Sequence, residues 1–478
     1  MNNLSRLIVN GGVLSPAELK YICESAESLG FNSISFGSRQ DILFSKEIDA
    51  SRVEEFDNLK IIQPGSHDGE NIISSYVSTD IFQTTSWLTS GRYLYVLEQF
   101  REQPKLKVNI TDPKQRLVPL FTGHINFIAS ENEDYWYLYV RLPEWKQIEM
   151  YPALIYSWDI EKIVVAIEGI LQEEPDSIEM VFELVNDAVD TENRTVDKPL
   201  NVPFHPFPYY EGMNRIGQDK YWLGLYWRNN KYDLEFLKAM CDLCSDDKIG
   251  KISITPWKSF IIKGIPNHSK LIWEKFLGKN GINVRHSMLE LNWHLPVADK
   301  EALGLKKYLV NNFDKNDIST YGLTFGITNH FRKPYYFTSI VIEINAKPED
   351  LKDVEIRDTY NLLYAKNFDP NTREYILYAQ DVDKANLSNL LMELSQLYFD
   401  ELGTEKDAKN NAKALKDTVE EIVYQCTDCL TVYNHIYGDV TQDIAPNTSF
   451  ENLPKTYICS LCEASKSSFE KKVLVKEV

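Results

Sequence analysis

The chain has 478 residues, 43% of them hydrophobic, which is too long for one hydrophobic core and sufficient for several. Its formal net charge of -19, with no block of lysine and arginine, argues against nucleic acid and anionic membranes as partners. No apolar run reaches the length of a membrane helix and the first residues lack the layout of a secretory signal, so we expect a cytoplasmic protein.

The first predicted helix follows Ser15–Glu18, a sequence typical of a capping box with proline at the first helical position. Apolar residues then recur at helical spacing from Leu19 to Leu29. Two short apolar stretches, Ile34–Phe36 and Ile42–Phe44, predict strands after this helix.

The same order of elements recurs near the middle of the chain. Tyr221–Tyr226 predicts a strand, residues 234–244 carry apolar side chains at helical spacing, and Ile252–Ile254 predicts another strand. We interpret this weak internal repeat as a duplicated α/β unit rather than a solenoid. A longer mixed segment follows each copy, and in the first one the aromatic alternation Tyr135–Val140 predicts a strand.

Less regular stretches separate these parts. Four prolines between Pro199 and Pro208 mark an extended connection between the two copies. A leucine-rich helix is predicted from Asn386 to Leu402, and the polar stretch Thr404–Glu421 resembles a charged helix or a tether.

Two C-x-x-C pairs lie close to the end of the chain, Cys426 with Cys429 and Cys459 with Cys462. In a reducing compartment such pairs usually bind metal, because each pair closes a tight loop, or knuckle, whose two thiolates grip one ion. Two facing knuckles give a tetrahedral cage of four sulfurs. This cage suits zinc or iron, and its geometry does not choose between them.

The C-terminal segment Tyr424–Leu474 resembles rubredoxin in the order and spacing of these cysteines and of Tyr433, Phe450 and Phe469, which match the family's small aromatic core. The resemblance implies one iron ion, Fe2+ or Fe3+, in the four-cysteine site and outer-sphere transfer of single electrons. Without metal the segment has too few apolar residues to fold, so its stability and function depend on the same four sulfurs.

Four positions depart from the rubredoxin pattern. The glycine that follows each knuckle is Leu430 or Glu463 here, the proline after the third cysteine is Ser460, and the tryptophan before it is Tyr457. Glycine accepts a positive φ and lets its amide approach sulfur, so we expect strained knuckles or altered amide contacts. The alternative for the same four ligands is a zinc ribbon that only stabilises this segment.

The likeness in the rest of the chain is to the siroheme-dependent nitrite and sulfite reductases, and it extends diffusely over residues 5–345. The residues that carry it are Asn10–Pro16, Arg39-Gln40, Pro64–Ser66, Asn71, Pro104–Lys107 and Ile254–Trp257. The resemblance implies an α+β fold with duplicated ferredoxin-like half-domains, α/β reductase-like subdomains and a small C-terminal metal-binding domain.

This resemblance and the linkers above predict the domain order. The domains are ferredoxin-like half-domain 1 at 1–75, α/β subdomain 1 at 76–195, a linker at 196–220, half-domain 2 at 221–285, α/β subdomain 2 at 286–403, a linker at 404–423 and the rubredoxin-like domain at 424–474.

By the same resemblance, Arg39, Lys105 and Lys107 would hold the carboxylates of siroheme, if any tetrapyrrole is bound. The arginine that the family places beside Asn71 is Glu70 here, and its carboxylate would repel those of the macrocycle. A lone histidine, His330, is an outside candidate for an axial haem ligand.

The iron-sulfur cluster of the reductases needs two cysteine pairs, and no cysteine occurs between Cys244 and Cys426. Ile327 and Phe331 stand where the second pair would be, and carbon cannot ligate iron. The resemblance therefore argues against both siroheme and a [4Fe-4S] cluster. Cys23, Cys241 and Cys244 are predicted to be small buried apolar residues.

We therefore predict an electron carrier rather than a catalytic reductase, although an oxidoreductase role stays open. Its donor would be an NAD(P)H-dependent flavoprotein reductase, and the degenerate reductase-like part would dock an enzyme of nitrate, nitrite or sulfite assimilation. One alternative is a siroheme-binding reductase fed by its own rubredoxin domain. The other alternative is a zinc-ribbon scaffold.

Overall fold

The computed structural model describes residues 4–48, 60–64, 69–227, 229–282, 292–316, 319–329, 336–345, 358–413, 418–435 and 438–477. The chain forms two compact units, the body (Met1–Ser395) and the C-terminal unit (Gln396–Val478). Within the described ranges, no helix is long and apolar enough to cross a membrane.

Helices and strands occur throughout the described residues. The α-helices are Pro16–Ser28, Ser90–Glu98, Ile160–Gly169, Ile178–Ala188, Leu234–Asp246, Lys270–Lys279, Lys300–Asn316 and Lys384–Lys413. The strands are β1 Arg6–Leu7, β2 Val13–Leu14, β3 Ser33–Phe36, β4 Ile42–Leu43, β5 Ile61–Ile62, β6 Ile73–Ser74, β7 Val108–Thr111, β8 Ile125–Ala129, β9 Tyr135–Val140, β10 Glu149–Met150, β11 Ala153–Tyr156, β12 Asn193–Thr195, β13 Gly212–Ile216, β14 Lys220–Leu225, β15 Tyr232–Asp233, β16 Ile252–Ile254, β17 Phe260–Pro266, β18 Trp293–His294, β19 Phe325–Asn329, β20 Ile340–Ile344, β21 Thr359–Ala365, β22 Tyr375–Asp383, β23 Thr418–Cys426, β24 Val432–Tyr433 and β25 Phe469–Glu477.

The helix Pro16–Ser28 begins with the predicted capping box. The Glu18 amide donates to Ser15 Oγ at 3.1 Å, and the Ser15 amide donates to the Glu18 carboxylate at 2.6 Å. These two bonds satisfy backbone donors that the first helical turn leaves without partners.

The two copies of the repeat exchange strands instead of folding separately. β15 of the second copy pairs with β3 of the first, and β2 of the first copy pairs with β16 of the second. The sheet orders are β15-β3-β4-β1-β5 and β13-β14-β17-β16-β2, and both sheets pack around one buried core with the helices Pro16–Ser28 and Leu234–Asp246. The duplicated half-domains are therefore built around a single shared interior.

Two further sheets show the repeat in their topology. In one sheet β6, β7 and β8 run parallel and β9 and β11 follow antiparallel. In the other sheet β18, β19 and β20 run parallel and β21 and β22 follow antiparallel. The duplication thus extends beyond the half-domains, and the predicted strand Tyr135–Val140 is confirmed as β9.

The C-terminal unit contains a three-stranded antiparallel sheet in the order β24-β23-β25. The leucine-rich helix extends to Lys413, and Thr418–Glu421 lies in β23, paired with residues 474–477 of β25. This part of the predicted helix or tether is therefore strand, because the last residues of the chain supply a partner for its backbone groups. The predicted domain boundaries themselves remain predictions.

Candidate functional site

The structure brings the four C-terminal cysteines together at one point. Their Sγ atoms all lie within 4.8 Å of one another, with 3.6 Å from Cys426 to Cys462 and 3.4 Å from Cys429 to Cys459. A tetrahedral ion with metal–sulfur bonds of about 2.3 Å needs sulfurs about 3.8 Å apart. The sulfur set therefore fits one tetrahedral ion, and these four cysteines could hold one iron.

Both knuckles are built by the same backbone pattern. The Leu430 amide donates to the Cys426 carbonyl at 3.0 Å, and the Glu463 amide donates to the Cys459 carbonyl at 2.9 Å. Leu430 has φ +65° and Glu463 has φ +61°, which is the left-handed region that favours glycine. The two departures from the family's glycines thus keep the glycine conformation, at a cost of about 1–3 kcal/mol each.

Thr431 polarises one of the sulfurs. Cys429 Sγ donates to Thr431 Oγ1 at 3.2 Å, and hydrogen bonding with this hydroxyl and with the Thr431 amide lowers the pKa of the Cys429 thiol to about 6. A thiol must lose its proton before it ligates a metal, so Thr431 prepares this ligand near neutral pH.

The predicted aromatic residues pack against one another in one cluster. Tyr433, Phe450 and Tyr457 are buried, and Phe450 stacks on Tyr424 with ring centroids 4.0 Å apart. Tyr457 fills the position where the family has tryptophan, and its hydroxyl donates to Asp439 Oδ2 at 3.0 Å. The replacement therefore keeps a buried ring and adds a polar anchor.

One edge of the sulfur cage faces solvent. Cys426 and Cys459 are buried, whereas Cys429 is half-buried and Cys462 is exposed. Two apolar side chains stand beside this edge, Leu430 with 65% and Leu461 with 71% of its surface exposed. Exposed apolar side chains next to one another are typical of a surface that contacts another molecule, and the open edge is suited to such a contact.

In the body the three predicted siroheme-binding residues do not share one environment. Arg39 is half-buried, and its guanidinium donates to Asn109 Oδ1 at 2.7 Å and to the Asn71 and Val108 carbonyls at 2.6 and 2.8 Å. Burial lowers the pKa of Arg39 to about 10. The terminal nitrogens of Arg39 are thus engaged by the chain itself, which leaves little capacity for the carboxylates of a macrocycle.

The other two predicted residues, Lys105 and Lys107, differ in burial. Lys107 is half-buried near Arg39 and Glu70, and its pKa is lowered mainly by burial. Lys105 is exposed, and its charge acts on Glu168. Glu70 is paired with Arg6 at 2.9 Å, so its expected repulsion is neutralised within the chain. The role of these residues in siroheme binding stays a prediction.

A cavity of about 460 Å³ in the body is lined by residues of which the sequence motifs singled out only Trp257. Its cationic side chains are Arg116, Arg141, Lys146 and Arg373, and its aromatic side chains include Phe121, Phe207, Trp257, Phe337 and Tyr375. Arg116 is paired with Asp369 at 3.0 Å, and the guanidinium of Arg373 lies 4.9 Å from the ring centre of Phe121. The lining suits a flat, aromatic anion.

The three cysteines of the body lie in its hydrophobic core. Cys23, Cys241 and Cys244 are buried in the shared core of the half-domains, as predicted, and burial raises the pKa of Cys241 to about 12. Ile327 is buried on β19. Phe331 and His330 lie outside the described residues, as do Gly65 and Ser66 of the predicted loop.

The comparisons with known proteins agree with a metal-binding domain of the four-cysteine class. A sequence model of the rubredoxin family matches residues 423–469. Rubredoxin-2 of Chlorobaculum tepidum is 42% identical over 48 residues, which cover 10% of this chain and 92% of that protein. The chain therefore belongs to the rubredoxin family through its C-terminal domain.

Two other relatives are matched over less of their length. Probable Rubredoxin-1 of Methanocaldococcus jannaschii is 47% identical over 49 residues, 10% of this chain and 61% of that protein. High molecular weight rubredoxin of Moorella thermoacetica is 39% identical over 69 residues, 14% of this chain and 27% of that protein. The chain thus spans about three fifths of the Methanocaldococcus jannaschii protein and about a quarter of the Moorella thermoacetica protein.

The body has a structural relative of its own. The structure of the Mycobacterium tuberculosis NirA protein matches with a TM-score of 0.62 and 13% sequence identity, covering 81% of this chain and 79% of that chain. At this identity the match shows the fold alone. The predicted fold, a nitrite/sulfite reductase-like body joined to a rubredoxin domain, is confirmed.

Proposed function

We propose that the rubredoxin domain binds one iron ion through Cys426, Cys429, Cys459 and Cys462 and transfers single electrons between partner proteins. The observation that carries the proposal is the set of four sulfur atoms within 4.8 Å of one another in a rubredoxin sequence. When bound, iron supplies a one-electron couple between the ferrous and ferric states.

The residues of the chain have three tasks in this function. The thiolates hold the charge of the ion, and Thr431 stabilises the negative charge on Cys429 by hydrogen bonding. The aromatic core around Phe450 and Tyr457 fixes the knuckles, so that little rearrangement accompanies a change of charge. Leu430 and Leu461 cover the open edge when a partner docks there, and they exclude water from the contact.

The proposed partners are those that the sequence suggests. An NAD(P)H-dependent flavoprotein reductase would deliver electrons to the open edge in the cytoplasm, and an enzyme of nitrate, nitrite or sulfite assimilation would receive them. We assign the body a docking role because its sequence has no cysteine between Cys244 and Cys426, so the thiolate ligands of a coupled [4Fe-4S] centre are missing.

Metal analysis and visible spectroscopy of the purified full-length chain test the iron proposal. We expect one iron per chain, a thiolate-to-iron charge-transfer colour, and bleaching of that colour on one-electron reduction. Zinc at one ion per chain, with no redox-dependent colour in protein made with ample iron, would overturn the proposal in favour of the zinc-ribbon scaffold.

A second candidate function rests on the cavity of the body. Its arginines and aromatic rings suit a flat polyanion, and siroheme, implied by the fold, is one such molecule. Arg141 and Arg373 would hold its carboxylates in place of the engaged Arg39, whereas Arg116 is already paired with Asp369. The chain would then be a tetrapyrrole-binding oxidoreductase fed by its own rubredoxin domain.

Production in cells that make siroheme distinguishes the two functions. A Soret absorption that copurifies with the chain, and that is lost in Arg141→Gln but kept in the exposed-site control Arg215→Gln, would support tetrapyrrole binding. A spectrum that shows only the iron–thiolate bands would reject this second candidate and leave the electron-carrier proposal in place.

A further inference from the structure

A second cavity of the body, also about 460 Å³, is lined by four lysines. Lys220, Lys248, Lys251 and Lys263 reach it from β14, β17 and the residues just before β16. The cavity is formed at one end of a single sheet, next to Tyr76 and Thr79. This concentration of positive charge occurs in a chain whose formal net charge is -19.

The amines of two of these lysines are held in place by neutral acceptors. Lys251 Nζ donates to the Tyr76 hydroxyl at 2.5 Å and lies 4.9 Å from the centre of its ring. Lys263 Nζ donates to the Thr79 carbonyl at 2.5 Å. Across the described residues, none of the four lysines has a carboxylate within 4.0 Å, so their charges are not paired by the protein.

The two acidic residues of the lining do not compensate for the lysines. Both carboxylate oxygens of Asp247 accept hydrogen bonds from elsewhere, one from Ser269 Oγ at 2.5 Å and one from Trp273 Nε1 at 2.7 Å. Asp80 is exposed and acts on Lys263 only through its charge. The lining therefore keeps a surplus of positive charge even when both carboxylates are counted.

The sheet register sharpens this imbalance. Ile252 pairs with Ile262, and continuing the antiparallel ladder by one residue places Lys251 directly opposite Lys263. Like charges at opposite positions of neighbouring strands destabilise a sheet. Burial also lowers the pKa of Lys263 to about 8. A bound anion between the two amines would relieve both costs.

We propose that this cavity is a binding site for a small, multiply charged oxyanion, such as a phosphate ester or a polycarboxylate. Lysine ammonium groups recognise such anions as point charges and do not require the fixed fork of arginine. The volume of about 460 Å³ lies in the range of small-molecule sites and exceeds what a single inorganic ion fills. Its lining shares no residue with that of the arginine-lined cavity.

Isothermal titration of the full-length chain with pyrophosphate at constant ionic strength tests this site. We expect saturable binding, at least about tenfold weaker in Lys251→Gln/Lys263→Gln, because two charged hydrogen bonds to the anion are lost. Two exposed lysines of the helix Lys270–Lys279 that do not line the cavity, changed in Lys275→Gln/Lys279→Gln, serve as the charge-matched control and should bind like the parent chain.

Asp80→Asn provides a test that loss of folding cannot imitate, because removing this negative charge should tighten binding severalfold. A parallel titration with citrate distinguishes the two ligand classes: tighter pyrophosphate binding assigns a phosphate ester, and tighter citrate binding assigns a polycarboxylate. Absence of saturable binding of both anions, or equal affinity in the parent and in Lys251→Gln/Lys263→Gln, would overturn the proposal.

Discussion

The C-terminal unit and the body differ in whether metal-binding residues or a large hydrophobic core define them. In the C-terminal unit the candidate site is formed by four side chains within 37 positions, Cys426 to Cys462. In the body two copies share one hydrophobic interior, and its sequence has no cysteine between Cys244 and Cys426. A small metal-binding domain depends on its ligands to fold, whereas a large hydrophobic core does not.

Similarity to known proteins follows the same division. The rubredoxin relatives are 39–47% identical to this chain over their matched lengths, whereas the NirA protein shares the fold at 13% identity. Residues that bind a metal tolerate few replacements, because ligand identity and spacing are both fixed. Core residues need only volume and hydrophobicity, so their sequence drifts much further.

Loss of two ligands should give the largest effect and separate the two units most clearly. Cys426→Ser/Cys459→Ser removes one sulfur from each knuckle and should abolish iron binding. Structural metal ions contribute about 10–16 kcal/mol to the folding of small domains, so the rubredoxin domain should unfold. Calorimetry of the full chain should show the melting transition of the body unchanged, and metal analysis should find no iron.

Cys244→Ser is the reciprocal control for that experiment. This residue is buried among apolar side chains in the shared core of the body, where a serine hydroxyl would be desolvated. The free energy of unfolding of the body should therefore fall by about 1–3 kcal/mol. The iron content should stay at one ion per chain. Iron loss in Cys244→Ser, or retention of coloured iron in the double variant, would break the division between the two units.

Gly438→Ala should destabilise the rubredoxin domain without touching a ligand. Gly438 has φ +65°, and an added Cβ would lie 2.4 Å from the Ile444 carbonyl oxygen and 2.5 Å from that of Ala445. Backbone must move to relieve these contacts, at a cost of about 2–4 kcal/mol. The expected result is faster loss of the iron–thiolate absorbance in urea.

The matched control is Gly304→Ala in the body. This glycine lies within the helix Lys300–Asn316, and an added Cβ would meet no atom within 4 Å. The same substitution should therefore stabilise the body by about 0.5–1 kcal/mol through helix propensity. Equal effects of the two substitutions would show that steric contact at Gly438 does not limit stability.

Asn230→Gly tests whether the two half-domains unfold together. The Asn230 side chain accepts from the Phe36 amide at 2.8 Å and donates to the Phe36 carbonyl at 2.7 Å, which links the copies across 194 positions. Glycine keeps the positive φ of this residue and removes both bonds, at a cost of about 2–4 kcal/mol. The body should still melt in one transition, at a lower temperature. Two separate body transitions would contradict a shared interior.

Local signals are sufficient where neighbours in sequence interact. The capping box at Ser15, the strand Tyr135–Val140 and the paired knuckles can all be predicted because spacing along the chain determines their geometry. Pairing across long distances cannot be predicted in this way. The exchange of β2 and β15 between the copies joins segments roughly 200 residues apart, and periodicity carries no information on such partners.

The same reason explains what the sequence does not reveal in the candidate sites. Arg116, Arg141 and Arg373 meet at one cavity, but each is an ordinary arginine in its own segment. Thr418–Glu421 belongs to a polar stretch whose composition predicts a helix or a tether. It forms a strand because it pairs with residues 474–477, and its own composition gives no sign of this distant partner. Side chains that converge only through tertiary structure leave no motif.

The smallest effect should come from restoring glycine after each knuckle. Leu430→Gly and Glu463→Gly place glycine where φ is already +65° and +61°, so each removes conformational strain. Part of that gain is offset because glycine makes the unfolded chain more flexible, and we expect a net stabilisation of about 1 kcal/mol per site. Urea unfolding of the iron-loaded chain, followed by visible absorbance, measures the change in stability.

Leu461→Gly is the control, since this exposed leucine has no positive φ and its replacement should give no gain in stability. If all three substitutions behave alike, strain at the knuckles is not what distinguishes this rubredoxin domain from its family.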